Sequence, residues 1–314
     1  MRSRLVILVA VAIAAVSVAL AVTHGASSSS RPVSAHTSMP PRLASYLGVY
    51  AAGTPQTYQS VAPFARAAGR HPNIVGYYSG WGQAFATSFA QTVRRHGAVT
   101  IVQMDPTYAS VPGIAAGRYD SYLRTYARSV RDFGHAVIIG FGHEMNASWY
   151  SWGYHHVPPQ TFAATWRHIV SLFRNQGATN VTWLWTINQD LSSTGPVASW
   201  WPGSRYVTWV GIDGYYYRPS STFAAVFGTT IAQVRAFTRK PVLLSETGVG
   251  PLAGQSKKIR GLFAGMRQYQ TLGLVWFDIA QHQGIYHQDW RIEDSRAAAR
   301  AFRLGASPLT LVRP

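Results

Sequence analysis

Short runs of β-branched and aromatic residues alternate along the chain with longer segments whose apolar positions recur every three or four residues. The runs are Tyr46–Ala51, Ile74–Tyr78, Val99–Met104, Ala136–Phe141, Val181–Thr186, Tyr206–Ile212, Val242–Ser245 and Leu274–Ile279. Near-continuous apolar runs of this length read as strands buried on both faces, the condition of a parallel sheet covered by helices. Between them Tyr119–Phe133, Thr161–Asn175, Phe223–Thr238, Lys257–Tyr269 and Ser295–Leu304 carry the helical period, and Gly134, Gly177 and Gly273 are placed to close helices before the next strand. Eight strands alternating with helices predict an α/β fold, a (β/α)8 TIM barrel that forms a single catalytic domain over residues 42–314, with its site at the C-terminal ends of the strands. An open doubly wound sheet is the rival. It would bring a glycine-rich phosphate loop after the first strand, and Tyr50-Ala51-Ala52-Gly53-Thr54-Pro55 is not one.

The N-terminus has a different pattern. Arg2 and Arg4 precede an uncharged stretch from Leu5 to Val22, and Ala19-Leu20-Ala21 offers a small-residue cleavage site. This predicts a signal peptide over residues 1–25 or, if uncleaved, a membrane anchor; either way the remainder is extracellular. A Ser/Pro-rich linker is expected over residues 26–41. The 47% hydrophobic content excludes a disordered tail, and the absence of Cys excludes disulfides and thiolate nucleophiles. A formal charge of +17 favours polyanionic partners, yet Lys240, Lys257 and Lys258 are the only lysines and the arginines are dispersed. Without a basic run, nucleic acid is not expected as a partner, and the charge reads as retention on an anionic cell wall. A monomer is expected.

Candidate chemistry follows the strand ends. The chain has only three glutamates. Glu144 follows the fourth run in Gly142-His143-Glu144-Met145-Asn146, and Glu246 follows the seventh in Leu244-Ser245-Glu246-Thr247-Gly248. Their spacing equals about three βα units, so both acids face the barrel mouth from opposing strands. Paired carboxylates of this kind equip a glycosidase, one protonated to donate to the leaving oxygen and the other attacking the anomeric carbon. Retention of configuration would require carboxyl groups about 5 to 5.5 Å apart. Glu293 lies before the last helix beside Arg291, where capping and a local Arg pair account for it.

The segment His143-Glu144-Met145-Asn146-Ala147-Ser148-Trp149-Tyr150 resembles the acid/base segment of glycoside hydrolase family 26, whose members include β-mannanases. Pro241–Gly248 resembles its nucleophile strand, and Gly211-Ile212-Asp213-Gly214-Tyr215 and Val275-Trp276 extend the likeness over most of the barrel. The resemblance implies Glu144 as general acid/base, Glu246 as nucleophile, His143 as a partner near the sugar, and Tyr215 as a donor orienting Glu246. It implies Trp149 and Trp276 as sugar-contacting walls and an endo-acting enzyme on β-1,4-mannan or a related β-glycan, which the N-terminal pattern makes a secreted one; no cofactor or metal is expected. Mixed-linkage β-glucan and xylan are alternatives within the family, and a non-catalytic polysaccharide-binding barrel is the alternative outside it.

Residue chemistry adds further candidates. Trp81, Trp152 and Trp185 also stand at or beyond strand ends, where an aromatic face stacks on a pyranose. Trp200-Trp201 could form a distal sugar platform, and Asn188 and Gln189 could bind hydroxyls. Trp183 and Trp185 on the fifth strand suggest that at least one points into the helix layer. Other plans fail: His143-Glu144 lacks the second His of a zinc-binding H-E-x-x-H helix, and no G-x-S-x-G elbow exists.

Overall fold

The computed structural model of the chain describes residues 38–281 and 288–313. The signal or anchor expected over residues 1–25, and the linker as far as residue 37, lie outside the described residues. Among those described, no helix is long and apolar enough to cross a membrane. Eight parallel strands close a barrel in chain order: β1 Tyr46–Ala51, β2 Ile74–Gly80, β3 Val99–Asp105, β4 Val137–Phe141, β5 Val181–Asn188, β6 Trp209–Tyr216, β7 Val242–Val249 and β8 Gly273–Asp278. The outer layer comprises α1 Val61–Ala68, α2 Thr87–Arg95, the short α3 Val111–Ala115, α4 Asp120–Phe133, α5 Pro159–Asn175, α6 Thr229–Phe237, α7 Gln255–Gln268 and α8 Arg296–Ala306. The predicted eight-strand order is the observed one.

Alternation along each strand divides the apolar residues between two cores. Tyr46, Tyr50, Ile74, Val99, Ile101, Ile138, Leu184, Trp209, Leu243 and Val275 fill the barrel interior. Their neighbours in sequence, such as Leu47, Val75, Val102, Ile139 and Trp276, point outward into the layer beneath the helices. Inside the barrel Gly76 lacks the Cβ that would meet the Tyr50 ring at 2.3 Å, so Tyr50 lies flat there and stacks beneath Tyr78 with ring centroids 4.8 Å apart. This stack raises Tyr78 to the mouth.

Boundaries differ from the sequence reading where loops borrow strand-like or helix-like residues. Tyr206 belongs to a 3-10 turn and β6 starts at Trp209. The segment expected as one helix from Phe223 is a wide π-wound turn over Ala224–Gly228 followed by α6. Gly134 does close α4 in the left-handed conformation, and Gly177 follows α5 in the same conformation. Gly273 does not cap a helix: α7 ends at Gln268, Gln270 takes the left-handed turn, and Gly273 opens β8 against the Tyr46 backbone, where any Cβ would overlap it. Contacts with the barrel begin before residue 42. Met39 is buried, and its N–H donates to Thr182 Oγ1 at 2.8 Å inside the barrel, so the last linker residues plug the barrel instead of leaving it.

Candidate active site

The mouth gathers the polar ends of strands whose lower halves are apolar. Gln103 and Asp105 end β3, Thr186 and Asn188 end β5, and Asp213 and Tyr215 end β6, each pair two residues apart and so on the same inward face. Two local departures from regular structure add the glutamates to this ring.

On β7 the departure is a bulge. Gly211 pairs with Leu243 but Asp213 with Glu246, and Leu244 pairs with Leu274 but Thr247 with Trp276, so β7 holds one residue more than either neighbour. Two consecutive side chains can then face the interior. Ser245 Oγ donates to Asp213 Oδ1 at 2.6 Å, while Glu246 accepts hydrogen bonds from the hydroxyls of Tyr78 and Tyr215.

Past β4 the departure is a strained turn. Gly142 and Glu144 both have positive φ, 52° and 55°. For a glutamate this left-handed conformation is unfavourable by about 1–2 kcal/mol and is maintained only where surrounding contacts enforce it. Those contacts are visible. Glu144 N–H donates to Thr186 O at 3.0 Å, and Asn146 grips the backbone of Asn188, accepting its N–H at 2.8 Å and donating to its carbonyl at 3.0 Å. Asn188 Nδ2 is thereby fixed 2.5 Å from Glu144 Oε1, and Trp149 Nε1 donates to Glu144 Oε2 at 2.8 Å.

Single oxygens of Glu144, Asp213 and Glu246 lie within 4.8 Å of one another, and all three residues are buried. Burial raises the Glu144 carboxyl above its ordinary range, opposed by His143 and by the Asn188 and Trp149 donors. Burial and then the Glu144 charge push Glu246 up to about 7. Asp213 is driven well above its usual value by burial and by both glutamates, and its Oδ2 makes no hydrogen bond among the described residues. So close a set cannot be fully ionised; protons are shared among its members near neutral pH. The compensating cation is His143. Burial disfavours its charge, but the adjacent Asp105 carboxylate outweighs burial and lifts it to about 10. As an imidazolium it donates from Nδ1 to Asp105 Oδ1 at 2.8 Å and from Nε2 to the Tyr150 hydroxyl at 3.1 Å.

The structure thus brings together Glu144, Glu246, His143, Asn188, Tyr215 and Trp149, the last 40% exposed and open to a ligand. It does not bring Trp276 to the mouth. That residue has outward parity on β8: its indole N–H donates to Trp290 O at 2.8 Å and its ring meets Phe302 of α8. Its place facing Tyr215 is taken by Phe277 and Trp290, with centroids 5.8 and 4.7 Å from the Tyr215 ring. Trp81 packs on Tyr119, Tyr122 and Phe141 rather than on the carboxylates. Trp183 and Trp185 both point outward, since residues two apart share a face, and Trp200 and Trp201 pack beneath the helices and form no platform. Trp152 is buried under Tyr150, and Gln189 is buried beside Gly214.

Sequence reasoning passed over Tyr78, Asp105, Tyr150, Asp213 as a third carboxylate, and Trp290. For Asp105 and Asp213 a signal existed, a polar residue at the C-terminal end of an apolar strand. Trp290 had none, because it comes from the β8–α8 connection.

Comparison with known proteins follows the same lines. The family model of glycosyl hydrolase family 26 matches residues 77–299. Endoglucanase H of Acetivibrio thermocellus is 27% identical over 270 residues, covering 80% of this chain and 29% of that protein. The β-1,3-xylanase TXYA of a Vibrio species is 25% identical over 177 residues, covering 52% of this chain and 37% of that one. The chain therefore spans well under half the length of these curated relatives. The Bacillus subtilis mannanase man26 superposes with a TM-score of 0.62 at 14% identity, covering 85% of this chain and 87% of that one. A β-mannanase from Bacteroides ovatus gives 0.62 at 16% identity, covering 86% and 90%. These two structures show a shared fold.

Proposed function

The chain belongs to glycosyl hydrolase family 26, and on that premise we propose that it is a retaining endo-β-glycosidase acting on β-1,4-mannan or a related neutral β-glycan. The observation carrying this reading is that one carboxyl oxygen of Glu144 lies within 4.8 Å of one of Glu246, both on buried side chains. An inverting pair needs about 6.5–9.5 Å to admit the attacking water, and a retaining pair about 5–5.5 Å.

In the proposed reaction Glu246 attacks the anomeric carbon as the glycosidic C–O bond breaks and Glu144 gives its proton to the leaving oxygen. The glycosyl ester on Glu246 is then attacked by water, whose proton passes to Glu144, and the ester bond breaks to restore the Glu246 carboxylate. Tyr78 and Tyr215 orient the Glu246 oxygens, Asn188 and Trp149 orient those of Glu144, and Trp149 offers its free face to a sugar. A second substrate reading, β-glucan, is favoured by the 27% identity to Endoglucanase H. An endo mode fits a mouth whose exposed aromatics, Tyr108 and Trp149, stand on different loops. The signal or anchor pattern supports action outside the cell.

The test is a product profile over mannan, mixed-linkage β-glucan and β-1,3-xylan. Internal cleavage of a neutral β-glycan with retained anomeric configuration, lost in Glu246→Ala and restored by azide in Glu144→Ala on an activated aryl glycoside, is expected. Binding without turnover on all three would replace the enzyme with a polysaccharide-binding barrel.

A further inference from the structure

The flank of the barrel between α1 and α8 carries a groove of about 540 Å³, and half of its lining residues are arginine. Arg296, Arg300 and Arg303 line it from α8, Arg66 from α1, with Ala67 and Ala299 as a small-residue floor and Glu293 as the single acid. On α8 the three arginines stand at i, i+4 and i+7, a single stripe that runs ~10 Å along the helix.

This arrangement opposes folding. Like charges at i and i+4 destabilise a helix by about 0.2–0.5 kcal/mol each. Arg296 is the first residue of α8, where the helix dipole disfavours a cation, and no acid occupies that first turn. Among the described residues only Arg124, Arg131 and Arg291 pair with carboxylates, Arg291 with Asp289 and Asp294 rather than with Glu293 as expected, so what sets the groove arginines apart is their row in one groove. Among the described residues none of the four groove arginines forms a salt bridge. One is nevertheless held in place: Arg303 donates from Nε to Ala67 O at 3.0 Å and from Nη2 to Arg66 O at 3.3 Å.

We propose that this groove binds the chain of an acidic polysaccharide, a polyuronate, alongside the neutral glycan at the mouth. A row of guanidinium groups along one helix matches a linear, repeating anion better than one small ion, and the planar fork of Arg pairs with carboxylates in two hydrogen bonds. The groove lies on the outside of the barrel, so an occupied groove leaves the mouth free. The proposal rests on the glycan-directed reading only for the choice of a sugar polymer, and its test reads binding rather than turnover.

The test compares the full chain with a groove variant, R66Q/R296Q/R300Q, and a control of equal net charge, R94Q/R95Q/R260Q, with all six arginines exposed. Binding to polygalacturonate at low ionic strength is measured by titration calorimetry, with poly(glycerol phosphate) and duplex DNA as competing polyanions. The groove variant should bind polygalacturonate at least tenfold more weakly and the control within twofold of wild type; the groove variant's melting temperature should not fall, because a repulsive stripe has been relieved. Equal losses in both variants would mean that net charge alone attracts polyanions. No loss in the groove variant, or tighter binding to the phosphate polymers than to polygalacturonate, would overturn the proposal.

Discussion

Replacing Glu246 with Gln should make the protein inactive and, above neutral pH, more stable. Burial and the neighbouring Glu144 raise its carboxyl from 4.5 to about 7, which corresponds to about 3 kcal/mol at 1.36 kcal/mol per pH unit. The folded carboxyl keeps its proton to higher pH than the unfolded one. Its full contribution to stability is therefore present below about pH 4.5, declines as pH rises toward 7, and stays low above 7. Gln keeps the side-chain shape, still accepts from one of Tyr78 and Tyr215, and carries no charge at any pH. Glu144 and Asp213 already relieve part of the repulsion by holding protons, so the expected gain is about 1–3 kcal/mol at pH 8 and close to zero at pH 4. At about 2–4 °C per kcal/mol for a domain of this size, the melting temperature should rise by about 2–12 °C at pH 8. Thermal unfolding of wild type and Glu246→Gln at both pH values measures it. A variant no more stable than wild type at pH 8, or equally stabilised at pH 4, would refute the view that this carboxylate is held against an electrostatic cost.

Three other outcomes follow from the same geometry. Asp105→Asn removes the charge that outweighs burial at His143, so the imidazole should titrate several pH units lower by NMR, and kcat should fall about 10–100-fold with less change in KM; an unmoved His143 titration would contradict the pairing. Tyr108 is 91% exposed with φ 63° on the loop beyond β3; Tyr108→Ala should raise KM for polymer about 3–10-fold, as expected for ~1 kcal/mol of stacking, and leave hydrolysis of a short aryl glycoside unchanged, whereas equal effects on both would place it outside the cleft. Trp276→Ala should cost about 3–5 kcal/mol of stability in urea unfolding through the cavity it leaves against Phe302, while Trp149→Ala should cost little stability and mainly turnover; the reverse pattern would return Trp276 to the mouth.

The sequence alone determined the barrel, because eight apolar runs interleaved with amphipathic segments leave few ways to bury both faces of every strand. It also determined where the two glutamates stand, since a strand's C-terminal end is a position in sequence as much as in space. Parity at the mouth was decided by the tertiary structure. One extra residue in β7 turns both Ser245 and Glu246 inward, and the opposite parity on β8 sends Trp276 into the helix layer and Phe277 to the site. A local pattern does not register such a bulge, because it exists only relative to the pairing of the neighbouring strands. The same holds for the electrostatics: Asp105 and His143 are 38 residues apart, Asn188 and Glu144 44 apart, and Tyr78 and Glu246 168 apart. Each of these pairs acts through a contact of a few ångströms in a buried setting, and only closure of the barrel creates either the contact or the burial.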